Sequence, residues 1–284
     1  MVIMDSRELK PKMLIIFTNF DDSLLNQEEN NYKLIIPIVE KLKNQGIPLI
    51  TVTSKTRAEV EDLRSKLGLS DPFIVENGSA VFIPQDNRNW QTEAAILRSD
   101  YYVQTLGCSY IEARAGLKII QSTLRINNLK GFGDFEDTEI QSLTRLSKEA
   151  ARKAKTREFS EPFIAPKNIS ALELENAAAE FGFRIISGDR FSYVLGNNAS
   201  ITNAVQWLMD RYQPEIAGEK AESLVTIGLG NSFQDLEMLE KMDIPVVIAN
   251  KMGRNSSLVD KNWKTTNSPG IQGWTEVITE LCKL

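Results

Sequence analysis

The sequence predicts a mixed α/β fold: a parallel sheet with crossover helices, interrupted by a second α/β segment inserted into it. Strand-length apolar runs alternate with amphipathic stretches early in the chain, and the same alternation returns late. Between about residues 88 and 190 the rhythm changes to several helical stretches and a hairpin. The chain has 284 residues, 42% of them hydrophobic, which is ample for a sizeable core.

Met13–Asn19 is a continuous apolar run closing on polar residues, as a buried parallel strand does. Leu34–Leu42 has helical spacing, and Gly46 closes it. Ile47–Thr53 reads as a second buried strand. Thr56-Arg-Ala-Glu59 is a capping box, so a helix starts there and runs to about Leu67. Phe73–Ile83 reads as strand, turn at Glu76-Asn77-Gly78, and short strand. Helices are expected over 111–124, 137–144, 147–155 and 171–181, and a hairpin pairs 183–186 with 191–195. A helix at 201–211, a strand at 224–229, a helix at 232–242 and a strand at 245–249 follow. The expected division is a core of 1–87 and 191–284 with an inserted domain at 88–190.

Composition narrows the chemistry. The 33 basic and 38 acidic side chains leave a formal charge of -5 with no basic patch, so no nucleic-acid partner is expected. The most basic stretch, Arg145–Arg157, reads as a solvated helix face. No apolar run approaches the ~20 residues that cross a bilayer, and Met1–Met13 lacks a signal-peptide core. Cys108 and Cys282 share no metal-ligand spacing, so a reducing, cytoplasmic setting is expected. There is no histidine, which excludes His triads, His bases and His ligands.

Ligands of open parallel sheets bind beyond the carboxyl ends of the strands. Three polar clusters fall there: Asn19-Phe-Asp21-Asp22-Ser23, Thr53-Ser54-Lys55, and Gly228-Leu-Gly230-Asn231-Ser-Phe-Gln-Asp235. Asn231 and Asp235 are four apart at a helix start and share a face, and that helix start suits an anion.

Phe17-Thr-Asn-Phe-Asp-Asp-Ser-Leu-Leu25 resembles the DxDGTLL signature of haloacid dehalogenase-like phosphatases, and Thr226–Asp235 resembles their GLGDxxND metal loop. Thr53–Glu59, Glu76-Asn77-Gly78, Arg157–Phe163, Gly188–Phe191 and Ser268–Trp274 resemble segments of the mannosyl-3-phosphoglycerate phosphatases, in order along nearly the whole chain. The resemblance implies a Rossmann-like core with a large α/β cap. It implies an Asp nucleophile at position 19 and a general acid/base at Asp21. It places a Mg²⁺ site at Asn19, Asp21, Asn231 and Asp235, and a Lys clamp at Ile201. Phosphate or substrate binding falls to Thr53, Ser54, Lys55, Asn77, Arg157, Ser160, Glu161 and Arg190.

Three of these positions depart from the pattern. Asn19 has no anionic oxygen to attack phosphorus, Asn231 is a neutral ligand for a hard cation, and Ile201 carries no charge. Losing two carboxylates removes repulsion against a phosphate dianion. Losing Mg²⁺ and a Lys removes about three positive charges, and that effect is the larger. Mg²⁺ binding, phosphate affinity and turnover are therefore all expected to be weak. The expected function is a catalytically impaired, binding or regulatory pseudo-phosphatase linked to sugar-phosphate or glycosylglycerate metabolism. Its ligand would be a sugar, polyol, sugar phosphate or protein partner, with no membrane insertion. The alternatives are an active Mg²⁺-dependent sugar-phosphate phosphatase with rearranged carboxylates, and a structural partner in an assembly.

Overall fold

The structure, a computed structural model, describes residues 13–20, 32–188, 190–212, 224–250, 258 and 261–284. It divides into two compact units, one of residues 1–51 with 213–284 and the other of 52–212.

The first unit opens with β1 (Met13–Asn19), buried from Ile15 to Thr18. Helix α1 (Tyr32–Asn44) follows and buries Ile35, Ile38, Val39 and Leu42, the i, i+3, i+4, i+7 stripe of an amphipathic helix. β2 (Leu49–Val52) is wholly buried and ends where the units divide.

The second unit begins with α2 (Arg57–Leu67), whose N-cap Thr56 forms the expected capping box with Glu59 and whose C-cap is Gly68 in the left-handed region. β3 (Phe73–Val75) and β4 (Ala80–Pro84) pair antiparallel, and β4 pairs with β6 (Tyr101–Thr105), which pairs with β5 (Ile96–Arg98). Helices α3 (Tyr110–Thr123), α4 (Asp137–Thr144) and α5 (Lys148–Lys155) come next. Then come β7 (Glu161–Phe163), α6 (Ala171–Ala179), β8 (Phe183–Ser187) and β9 (Ser192–Gly196). The last three strands form an antiparallel sheet of order β7-β9-β8. Leu117, Ile120, Phe163, Leu174 and Val194 fill the core between this sheet and its helices. Helix α7 (Ile201–Met209) closes the unit.

The chain returns to the first unit with β10 (Leu224–Gly230), α8 (Leu236–Leu239), β11 (Ile244–Ala249), β12 (Lys264–Pro269) and α9 (Gly270–Cys282). Here the strand order is β12-β11-β10-β1-β2, with β1, β10, β11 and β12 paired parallel in succession.

The expected parallel α/β alternation and the added α/β segment are both present. The helix expected over 232–242 is much shorter: a 3-10 turn, Phe233–Asp235, leads into the single turn of α8. Asp235 turns back to cap that start, and β11 begins at Ile244. Strands β5, β6, β7 and β12 were not expected. β7 contains Pro162 and β12 reads Lys-Thr-Thr-Asn-Ser-Pro, compositions tolerated because both are edge strands. The basic stretch is a solvated helix face that is also partly paired: Arg145, Lys148 and Arg152 are exposed, Arg152 and Lys155 meet Asp137, Lys153 meets Asp62, and Arg157 is buried.

Candidate active site

In the first unit the parallel register of β1 with β10 sets Thr18 opposite Leu229, so both strands end at one edge, at Asn19 and Gly230. The side chains then meet. Asn19 Nδ2 donates to Asp235 Oδ1 at 2.5 Å. Asp235 Oδ2 accepts from the backbone N–H of Asn231 at 2.8 Å and of Ser232 at 2.9 Å, and from Ser232 Oγ at 2.9 Å. Gly230 makes this turn possible, because a Cβ there would lie 2.5 Å from Asp235 Cβ. Asp235 is buried, and that desolvation raises its pKa above the ordinary carboxylate value despite the four hydrogen bonds that oppose the shift. Behind Asn19, the buried Trp274 Nε1 donates to Thr18 Oγ1 at 3.1 Å, tying the Ser268–Trp274 segment to the end of β1.

Asp21 and Asp22 lie outside the described residues. Among the described residues no three His, Cys, Asp or Glu side chains cluster as a metal site. The remaining donors of the expected Mg²⁺ site fit that ion poorly. Asn19 and Asn231 offer amides, and both oxygens of Asp235 already accept from N–H and O–H donors.

The second unit assembles a second group of the expected residues. Three consecutive residues, Glu76, Asn77 and Gly78, have φ of 48°, 58° and 81°. Two of them are not glycine, so the turn is strained and must be held from outside. Backbone bonds stitch it to the Thr53–Lys55 loop: Glu76 N–H donates to Lys55 O at 3.0 Å and Asn77 N–H to Thr53 O at 3.1 Å. Thr53 Oγ1 accepts from Lys55 N–H at 3.0 Å. The fully buried Glu76 carboxylate accepts from Glu158 N–H, Phe159 N–H and Ser160 Oγ at 2.9, 3.2 and 2.6 Å. Arg157 Nε lies 3.2 Å from it, close enough for charge attraction but not aligned as a hydrogen bond. Arg157 also donates through Nη2 to Ser54 O at 3.1 Å and Ser160 Oγ at 2.6 Å.

Gly78 brings in Ile201. A Cβ on Gly78 would lie 2.2 Å from Ser200 C and 2.4 Å from Ile201 N, so only glycine lets the start of α7 sit against this turn. Thr53, Ser54, Lys55, Asn77, Arg157, Ser160 and Ile201 thus come together. The buried Asn77 Nδ2 finds no acceptor among the described residues. Two expected residues stand apart. Glu161 faces the opposite side of β7 from Ser160, where Oε1 accepts from Arg114 Nη1 at 2.9 Å and Gly133 N–H at 3.0 Å. Arg190 is exposed and donates to Leu143 O at 3.0 Å, at the end of α4. Sequence reasoning passed over Glu76 and the Thr18–Trp274 pair as site residues. Their motifs were visible, but the partners that define their roles are 82 and 256 residues away.

Residues 16–161 match the family described as haloacid dehalogenase-like hydrolase. A glucosyl-3-phosphoglycerate/mannosyl-3-phosphoglycerate phosphatase of Persephonella marina is 38% identical over 273 residues, covering 93% of this chain and 96% of the relative. This chain belongs to the haloacid dehalogenase-like hydrolases. A mannosyl-3-phosphoglycerate phosphatase of Pyrococcus furiosus is 32% identical over 86% of this chain and 95% of its own length. Among solved structures, a phosphatase of the same superfamily from Bacteroides thetaiotaomicron matches with a TM-score of 0.65 at 13% identity, covering 98% of this chain and all of that one. At that identity the likeness concerns the fold. In this chain positions 19, 201 and 231 carry Asn, Ile and Asn.

Proposed function

We propose that this protein is a slow phosphoric monoester hydrolase for a sugar phosphate of the glycosyl-3-phosphoglycerate type, with its carboxylate chemistry rearranged. The observation that carries this is 38% identity along nearly the full length of a relative named for that activity. Position 19 cannot form an aspartyl-phosphate, so in this reading a water attacks phosphorus. The water–phosphorus bond forms as the ester P–O bond breaks, Asp21 takes the proton from the attacking water, and the leaving alcohol oxygen takes a proton from solvent water. Thr53, Ser54, Lys55 and the buried Asn77 amide supply phosphate-side donors. Arg157 and Ser160 hold that loop in place from the 157–163 segment. The functional division we adopt is a core of 1–87 and 191–284 with a cap of 88–190, in a cytoplasmic setting.

One observation favours a second reading, a binding pseudo-phosphatase. Asn19 is bonded to a buried Asp235 whose oxygens are already engaged, an arrangement that suits a structural role better than a nucleophile and metal pair. A phosphate-release assay on glucosyl- and mannosyl-3-phosphoglycerate, with and without Mg²⁺, separates the two. The hydrolase reading expects measurable release that is lost in Asp21→Ala. Release no greater than the buffer control, together with saturable substrate binding, leaves the pseudo-phosphatase.

A further inference from the structure

The inserted segment carries a second concave site, away from the Glu76–Arg157 cluster. A groove of about 640 Å³ opens between the loop after α3 and the loop after β7. That is within the ~300–1,000 Å³ range of small-molecule sites. Both elements begin near the candidate active site and run away from it. Tyr110, at the start of α3, donates its N–H to Glu158 O, and Ser160, just before β7, bonds Glu76. The 14 residues of α3 span ~20 Å, so the groove lies about one helix length from that cluster.

The groove is charged with one sign. Arg125, Lys130 and Lys167 line it, and among the described residues no carboxylate does. Among the described residues none of the three cations makes an ion pair, whereas the nearby Arg114, Lys118, Arg152 and Lys155 all do. Arg125 lies just past the C-terminal end of α3, whose half negative charge offsets part of one cation, so an excess of more than two remains. Arg125 is also held at φ 51°, a strained backbone for a residue that is not glycine. Apolar residues line the groove beside the cations: Leu129 is buried, Ile164 is exposed, and Lys130 Nζ lies 5.5 Å from the Phe135 ring centroid. Asn127, Asn128 and Asn168 add amides at the rim that can donate and accept.

We infer that this groove binds an organic phosphate whose body carries a ring, a nucleoside phosphate being the class that matches best. The cations meet the phosphates, the apolar lining residues contact the ring, and the amides meet hydroxyls or base edges. The site is separate from the phosphate loop at Thr53–Lys55.

Isothermal titration of the full chain with ATP, and separately with inorganic phosphate, tests this. Wild type is expected to bind ATP saturably at one groove site. Lys130→Ala and Arg125→Ala are each expected to weaken it about tenfold, the effect of one charge-assisted contact. Ala165→Trp fills the groove without changing charge and is expected to abolish binding, with the circular dichroism spectrum unchanged. Inorganic phosphate is expected to bind at least tenfold more weakly. Absence of saturable ATP binding, or equal affinity in all variants, overturns the site. Phosphate binding as tightly as ATP overturns the assignment of an organic ligand.

Discussion

Asp235 illustrates how one side chain decides the character of its surroundings. It is an acid in a buried place, engaged by four donors, yet burial outweighs them and raises its pKa. The folded state therefore keeps this proton at a pH where the unfolded chain has already released it. Stability from this group falls as pH rises from about 4 toward the raised value. In urea titrations between about pH 4 and 7, the wild-type midpoint should fall relative to that of Asp235→Asn. A relative rise would contradict the assignment. Glu76 and Arg157 form the other decisive pair. Both are buried, and the carboxylate organises three donors from the 158–160 segment. Removing one partner leaves an uncompensated charge, so Arg157→Met should destabilise by about 3–5 kcal/mol. Glu76→Gln with Arg157→Met should destabilise by less than the sum of the single changes, measured by equilibrium urea unfolding.

At the scale of elements, the start of α2 is fixed twice. Thr56 Oγ1 accepts from Glu59 N–H and also donates to Lys153 O at 2.9 Å, in the last turn of α5. Thr56→Ala loses a cap of about 1 kcal/mol and a tertiary bond of about 1 kcal/mol. A shift in urea midpoint equivalent to about 2 kcal/mol is expected, against about 1 kcal/mol if only the cap counts. The 76–78 turn is less forgiving. Gly78→Ala would drive a Cβ into the backbone of Ser200 and Ile201 at positive φ. We expect a loss of about 2 kcal/mol or more, read from thermal unfolding. Much of this architecture was legible beforehand. The capping box, the amphipathic stripe of α1 and the hairpin of β8 and β9 each rest on local spacing that physics converts directly into structure. β7 and β12 were not legible, because Pro162 and the polar run 264–268 speak against a strand, and only the edge position removes the objection.

For the whole molecule, the consequence concerns catalysis. Nucleophile, metal carboxylate and cationic clamp act as one apparatus in this family's resemblance, so restoring them singly should give little. Asn19→Asp, Ile201→Lys and Asn231→Asp together should raise phosphate release by far more than the product of the single effects, measured on the same sugar phosphate with Mg²⁺. Equal contributions from each single change would mean that the alignment of these positions is wrong. The candidate site was partly legible in the same way. The motifs located Asn19, Thr53, Asn77, Arg157, Ser160 and Asp235, and the structure brings these into two bonded groups. It did not group Glu161 or Arg190 with them, because strand alternation turns Glu161 to the other face of β7 and Arg190 bonds the end of α4.

What the sequence determined by itself is the fold class, the family and the chemical identity of the altered positions. These depend on residue type and local order, and an Asn side chain carries no anion wherever the chain places it. What only the tertiary structure decided is how the remaining groups are used. Asp235 is already bonded through both oxygens, Glu76 rather than Asn77 is the anchor of the strained turn, and three cations without an ion pair among the described residues share a groove away from the Thr53–Lys55 loop. Burial and pairing set these roles, and both depend on neighbours that are remote along the chain.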